Sequence, residues 1–342
     1  MLRVAAAVLA AFIMFSSASE GRAAPPEPLP PPDRVLTWMK TYRTKPDYKL
    51  LPDAVQALAA GGAFQEPDAA GVFVGFMAGV IGSNPDHAEK IIFKMLAVVK
   101  PEDNWAVVRA VAYSGLANWR GLLGKLGEKS PNRRTMVDAY TSGKLPTLND
   151  FAVRERKGMW ARMGSAFSGD SEEKLVLEPS PVVMDTFWGY YYATGSLLPL
   201  SRMVDLLPWA SDSNDAERLT LGSTAKYSLA HNSSRDAELL TALKESRPHA
   251  SDDARKHLDD VIFAAETAEV GKLKNDAAAA LNELRQKGPA YKRKISWWGR
   301  LGEGAISLGC VTAAVTGQVQ LGIPCVVGGA TYSGVLRYLS GS

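Results

Sequence analysis

The stretch His249-Ala250-Ser251-Asp252-Asp253-Ala254-Arg255-Lys256-His257-Leu258-Asp259-Asp260 sets two of the chain's four histidines beside a group of carboxylates. On a helix, Asp253 lies one turn before His257 and Asp260 just under one turn after it, a spacing that suits a carboxylate–imidazole site for a divalent metal. The same residues also make a good helix start. Ser251 is a capping residue, acids in the first turn face the positive end of the helix dipole, and Arg255 and Lys256 interleave with them as on a solvated face. The second reading accounts for every residue without a ligand, and no metal site is assigned.

The run Gly121-Leu122-Leu123-Gly124-Lys125-Leu126-Gly127-Glu128-Lys129-Ser130 has the glycines of a phosphate loop but not its grammar. A nucleotide loop needs Gly-Lys-Ser/Thr contiguous, so that the lysine reaches phosphate while the hydroxyl holds magnesium. Glu128 stands between Gly127 and Lys129 and puts negative charge where phosphate would sit. A helix end followed by a turn is the expected structure. The chain has neither a His-Glu-x-x-His pattern nor a Gly-x-Ser-x-Gly elbow, and neither of its two cysteines has a histidine nearby. No catalytic residue and no cofactor are assigned.

In the aromatic cluster Phe187–Tyr192, helical spacing puts Trp188, Tyr191 and Tyr192 on one broad face and turns Tyr190 elsewhere. Helix–helix contact is the leading reading. If the scaffold carries a groove, exposed members of this trio are its expected lining, because Tyr and Trp combine large contact area with a polar tip. The segment Asp185-Thr186-Phe187-Trp188-Gly189-Tyr190-Tyr191-Tyr192-Ala193-Thr194-Gly195, with Lys226-Tyr227-Ser228-Leu229-Ala230, resembles uncharacterised exported α-helical proteins of bacteria, over roughly a third of the chain. The resemblance implies helices and brings no activity with it.

The elements that carry these residues read as helices over most of the chain. Pro67-Asp68, Pro85-Asp86 and Pro101-Glu102 each open an apolar-periodic run, with proline at the first helical position and an acid after it, as suits a helix N-terminus. Ile91, Ile92, Met95, Leu96 and Val99 fall at helical spacing, as do Trp105, Val108, Ala112 and Leu116, and both stripes are expected in the core. A first helical block spans 34–142 and a second spans 181–286. In the second, Val183, Phe187, Tyr191, Leu200, Met203, Val204 and Leu207 are apolar positions, and Ser213, Ser234 and Ser251 are expected caps. Residues 143–180, rich in Gly, Ser and charge, read as a long connection or a domain boundary. The expected fold is all-α, built from antiparallel helix pairs of the HEAT or TPR sort or from an irregular helical bundle.

Both ends depart from this pattern. Residues 1–23 read as a cleavable signal peptide: Arg3 precedes an apolar stretch from Val4 to Phe15, and small residues follow at Ser16 and Ala18 or at Gly21 and Ala23. A Pro-rich leader at 24–33 follows. The twelve-residue apolar run is short for a spanning helix. Export to the periplasm or beyond is therefore expected, in an oxidising compartment.

At the other end, residues 287–342 begin with a basic-aromatic segment in which Lys292, Arg293, Lys294 and Arg300 interleave with Trp297 and Trp298. That composition suits an anionic membrane surface or an acidic protein partner. An uncharged stretch rich in Gly, Ala and Val follows from Gly304 to Leu336. Gln318, Gln320 and Pro324 divide it into two arms too short to span a bilayer, so a hairpin is expected, helical or β, with Cys310 in one arm and Cys325 in the other. Being the only cysteines, these two are expected to form a disulfide.

Hydrophobic content of 46% and charged content of 22% are ordinary for a globular protein. A net charge of +3 is too small to argue for nucleic acid. The sequence thus points to an exported, non-enzymatic helical scaffold with a protein partner in the envelope. A membrane-active protein working through its C-terminal segment is the alternative, and an enzyme of unrecognised type a third.

Overall fold

Pro85, Pro101 and Pro131 each open a single 3-10 turn that runs directly into an α-helix, because proline has no amide to leave unpaired and its fixed φ is already helical. In the computed structural model, which describes residues 32–153, 175–273, 275–276 and 279, these turns belong to an all-α architecture. In chain order the helices are α1 (Pro32–Thr41), α2 (Leu51–Ala60), α3 (Gly71–Gly82), α4 (Ala88–Val98), α5 (Asn104–Tyr113) and α6 (Trp119–Lys129). They continue with α7 (Arg134–Thr141), α8 (Pro181–Thr194), α9 (Leu198–Val204), α10 (Ala216–Ser233), α11 (Ala237–Ser246) and α12 (Asp252–Thr267). No β-strand occurs among the described residues; a single parallel bridge joins Phe151 to Leu177.

The helix starts differ from the sequence reading at three points. Pro67-Asp68 lies in a turn, and α3 begins only at Gly71. Ser213 and Ser234 give way as caps to Asp215 and Asp236, whose carboxylates accept from two backbone amides each. An ionised carboxylate so placed satisfies the free amides and also meets the positive end of the helix. Ser251 does cap α12, accepting from the Ala254 amide, and Ser180 caps α8 in the same way.

At the centre is α3, whose sequence Gly-Val-Phe-Val-Gly-Phe-Met-Ala-Gly-Val-Ile-Gly is apolar on every side and buried from Gly71 to Ile81. A helix with no polar face must be surrounded by protein. Glycines at 71, 75 and 79 form a flat stripe that seats α8. A Cβ on Gly75 would collide with the Thr186 carbonyl oxygen, and one on Gly79 would lie 2.6 Å from the Ala193 Cβ. Gly189 of α8 answers from the other side, where a Cβ would strike the Val72 carbonyl. Because Gly71 meets Val182, Gly75 meets Thr186 and Gly79 meets Ala193, the two helices run parallel. At this separation the backbones are close enough for van der Waals and Cα–H···O contacts.

This pairing joins the two blocks that residues 143–180 separate in sequence. Residues from α1 to α8 and on through α12 share one hydrophobic core, including Phe73, Met77, Ile92 and Met95 from the first block and Phe187, Met203 and Leu258 from the second. Both apolar stripes lie in it: Ile91, Ile92, Met95, Val99, Trp105, Val108, Ala112 and Leu116 are buried, and Leu96 packs against them. No helix among the described residues is long and apolar enough to cross a membrane. The expected signal peptide, basic-aromatic segment and C-terminal hairpin with Cys310 and Cys325 lie outside the described residues, as does the Pro-rich leader except for Pro32 and Asp33, which open α1.

Candidate functional site

The aromatic trio on α8 faces inward. Trp188 and Tyr191 are buried, and Tyr192, half-buried as a residue, turns its hydroxyl into the interior. Trp188 meets Tyr191 edge-on at 6.0 Å between ring centroids and stacks on Tyr192 at 5.9 Å. The Trp188 Nε1 and the Tyr192 hydroxyl have no hydrogen-bond partner among the described residues, so the cluster is held by area and ring geometry rather than by its polar tips. Among the described residues Trp188, Tyr191 and Tyr192 serve helix–helix packing.

One member of the trio has a polar role that its position in sequence does not reveal. Arg43, just beyond the end of α1, donates from Nη1 to the Tyr191 hydroxyl and from Nη2 to Asp236 Oδ2 at 2.9 Å, and its guanidinium lies 4.9 Å from the Tyr191 ring centroid. The Tyr191 hydroxyl donates to the same Oδ2 at 2.7 Å. Oδ1 of Asp236 caps α11, accepting from the amides of Glu238 and Leu239. Gly195 makes room for this arrangement. It ends α8 in the left-handed region at φ 69°, and a Cβ there would sit 2.9 Å from the Arg43 Cδ.

The electrostatics follow from that geometry. Burial pushes the Asp236 carboxyl up, but the hydrogen bonds from Tyr191 and the Leu239 amide, with the Arg43 charge, outweigh it and hold the group below the ordinary carboxylate value. Burial and the Asp236 contact push the Tyr191 phenol the other way. The acid is thus held ionised and the phenol neutral. Both terminal nitrogens of Arg43, the Tyr191 hydroxyl and both Asp236 oxygens are engaged, so the group ties α1, α8 and α11 together.

A second polar group surrounds His257. Its Nε2 lies 3.2 Å from the Ser211 hydroxyl, and its Nδ1 lies 3.4 Å from Lys226 Nζ, which donates to Asp260 at 2.6 Å. Serine beside histidine suggests a nucleophile, but the third member has the wrong sign. An ammonium can only donate, so Nδ1 accepts from it, and Nε2 then carries the ring proton and donates to Ser211. A histidine in that tautomer cannot take the serine's proton, unlike one oriented by a carboxylate. Burial, then the Lys226 charge, keep His257 below its ordinary value and hence neutral. Lys226 also occupies the place a cation would take between His257 and Asp260. Among the described residues no group of three or more His, Cys, Asp or Glu side chains is arranged to hold a metal ion.

The glycine-rich run is structural as well. Gly121 to Lys129 lie within α6, and Ser130 follows its last residue. Gly121 and Gly124 have nothing within 4 Å of an added Cβ.

A cleft of about 250 Å³ opens between the α5–α6 turn and the 3-10 turn Leu148–Asp150. Its floor is Ala112, Tyr113, Leu116 and Leu148, all buried; Gly115, Trp119 and Asn149 stand at its rim. Arg202 fixes one wall by donating to the Leu148 carbonyl, and Thr147 and Asp150 close a capping box that holds the turn. Sequence reasoning did not single out this cleft. Its signals, Gly115 before Trp119 and Thr147 three residues before Asp150, are common turn and cap patterns.

Lys292, Arg293, Lys294, Trp297, Trp298 and Arg300 lie outside the described residues. No family model, no curated protein and no solved structure matches the chain.

Proposed function

We propose that this is an exported, non-enzymatic α-helical scaffold of the bacterial envelope, periplasmic or extracellular, that binds another protein there and is held peripheral to a membrane by its C-terminal segment. The observation that carries the reading is the use made of polar side chains in the body. Arg43, Tyr191 and Asp236 are bonded to one another, and they tie together helices far apart in the chain. Groups spent in this way favour a rigid body over a reacting centre. An irregular helical bundle fits the arrangement better than stacked HEAT- or TPR-like pairs, because the main partner of α3 is the distant α8.

Charge placement supports a tail with its own task. Residues 287–342 hold six basic residues and one acid, a net +5, which leaves −2 for the rest of a chain whose total is +3. The scaffold reading is tested by cross-linking the tagged chain in cells and isolating adducts after lipid is removed with detergent. A defined envelope protein joined to the helical body is expected; adducts formed only through residues beyond Gln286 would remove the scaffold role.

The interleaving of Trp297 and Trp298 with basic residues favours a second reading, in which the segment docks on anionic lipid so that a hairpin across Gly304–Leu336 can insert. Each basic residue near such a surface contributes about 1 kcal/mol that salt weakens, while Trp adds a contribution that salt does not. In flotation with anionic liposomes, the full chain is expected to rise at low salt and a chain ending at Gln286 to remain at the bottom. Equal behaviour of the two would end this reading.

A further inference from the structure

We infer that the cleft between the α5–α6 turn and the Leu148–Asp150 turn binds one neutral pyranose ring, such as a terminal sugar of a glycan. Charge comes first: among the described residues none of the side chains lining the cleft is ionisable near neutral pH, and Arg202 at its wall is engaged by the Leu148 carbonyl. Its volume of about 250 Å³ suits a single ring.

The distribution of polarity then separates sugars from planar aromatics. Tyr113 and Leu116 form a buried floor, and Trp119 at the rim offers indole surface while Arg120 lies over its ring, 4.4 Å from the centroid. Polar groups with capacity to spare stand around the edge. The Asn149 side-chain amide is exposed and makes no hydrogen bond among the described residues. The Tyr190 hydroxyl, half-buried on α8, also has no hydrogen-bond partner among the described residues, and it lies 3.7 Å from where a Cβ on Gly115 would be. Gly115 keeps this approach open, because its φ of +74° disfavours any side chain.

A pyranose matches this layout, with C–H faces for the indole and floor and hydroxyls around its circumference for the amide and phenol. A planar heteroaromatic ring would need a second apolar wall, whereas the lining includes the polar Thr147 and Asn149. The site is independent of the C-terminal segment and of the scaffold reading.

The test is ligand-observed NMR on the full chain with N-acetylglucosamine and glucose, with indole as the planar comparison. Saturable, millimolar binding of at least one sugar is expected. Trp119→Ala should abolish it, and Asn149→Ala and Tyr190→Phe should each weaken it by about 3- to 10-fold, as loss of a neutral hydrogen bond implies. If Trp119→Ala fails to fold by circular dichroism, Trp119→Phe and the exposed Asn149→Ala carry the test. No saturable response to either sugar, a response unchanged in the variants, or binding of indole alone would each overturn the inference.

Discussion

Asp236 uses one carboxylate for two tasks, and the two can be separated by substitution. Oδ1 caps α11 while Oδ2 receives Arg43 and Tyr191. Asp236→Asn keeps a good cap but loses the charge, and should lower stability by about 1–3 kcal/mol in urea. Asp236→Ala loses both and should cost about 2–4 kcal/mol, with most of the excess over Asn assigned to the cap. Equal losses in the two variants would show that the cap contributes nothing. Glu238, which is 3.4 Å from Arg43 but largely exposed, should matter little. None of this was legible in the sequence, because Arg43, Tyr191 and Asp236 lie far apart along the chain and each has an ordinary neighbourhood. What the sequence did carry was the acid-after-cap pattern around Ser251, which the structure realises.

His231 sets a pH dependence at the same scale. It is buried against Tyr227 near Arg235, and burial first, then the Arg235 charge, bring it down from 6.5 to about 4. The unfolded chain therefore takes up a proton below pH 6.5 that the folded chain refuses. Stability contributed by the neutral imidazole is whole above that value and is lost as pH falls towards 4, by on the order of 2–3 kcal/mol. His257, also held low, adds a slope of the same sign. Urea midpoints from pH 7 to 4.5 should fall more steeply in the parent than in His231→Gln. Parallel curves would contradict the assignment.

Among the elements, α3 and α8 bear the tightest constraint. Gly75 faces the Thr186 carbonyl with no room for a methyl group, and both partners are backbone that cannot rotate away. Gly75→Ala should destabilise by about 3 kcal/mol or more, as overpacking of a rigid contact does. Gly124→Ala on α6, where nothing lies within 4 Å, should stabilise by about 0.5–1 kcal/mol through helix propensity alone. The same substitution thus changes sign with the space available, and thermal melts of the two variants check it. Proline openings at 85 and 101 and the periodic stripes of α4 and α5 were readable because they are local signals. The Gly-x-x-x-Gly-x-x-x-Gly stripe at 71, 75 and 79 was present in the sequence too. Its meaning needs a partner helix more than a hundred residues away, and periodicity within one segment cannot supply that.

For the molecule as a whole, we propose a body whose polar groups hold its own helices together and a basic-aromatic tail that holds the body at the envelope. The all-α class followed from punctuation and periodicity. The single core did not, since residues 143–180 look like a boundary by composition while α3 and α8 join the blocks through glycines. The division of labour is tested most directly by fractionating bacteria that express a C-terminally tagged full chain and a tagged chain ending at Gln286. The account predicts both forms outside the cytoplasm and shortened by about 20 residues. The full chain should sediment with the envelope, from which high salt partly releases it, and the truncated one should be soluble. Recovery of both at full length in the cytoplasm, or equal membrane association of the two, would contradict it.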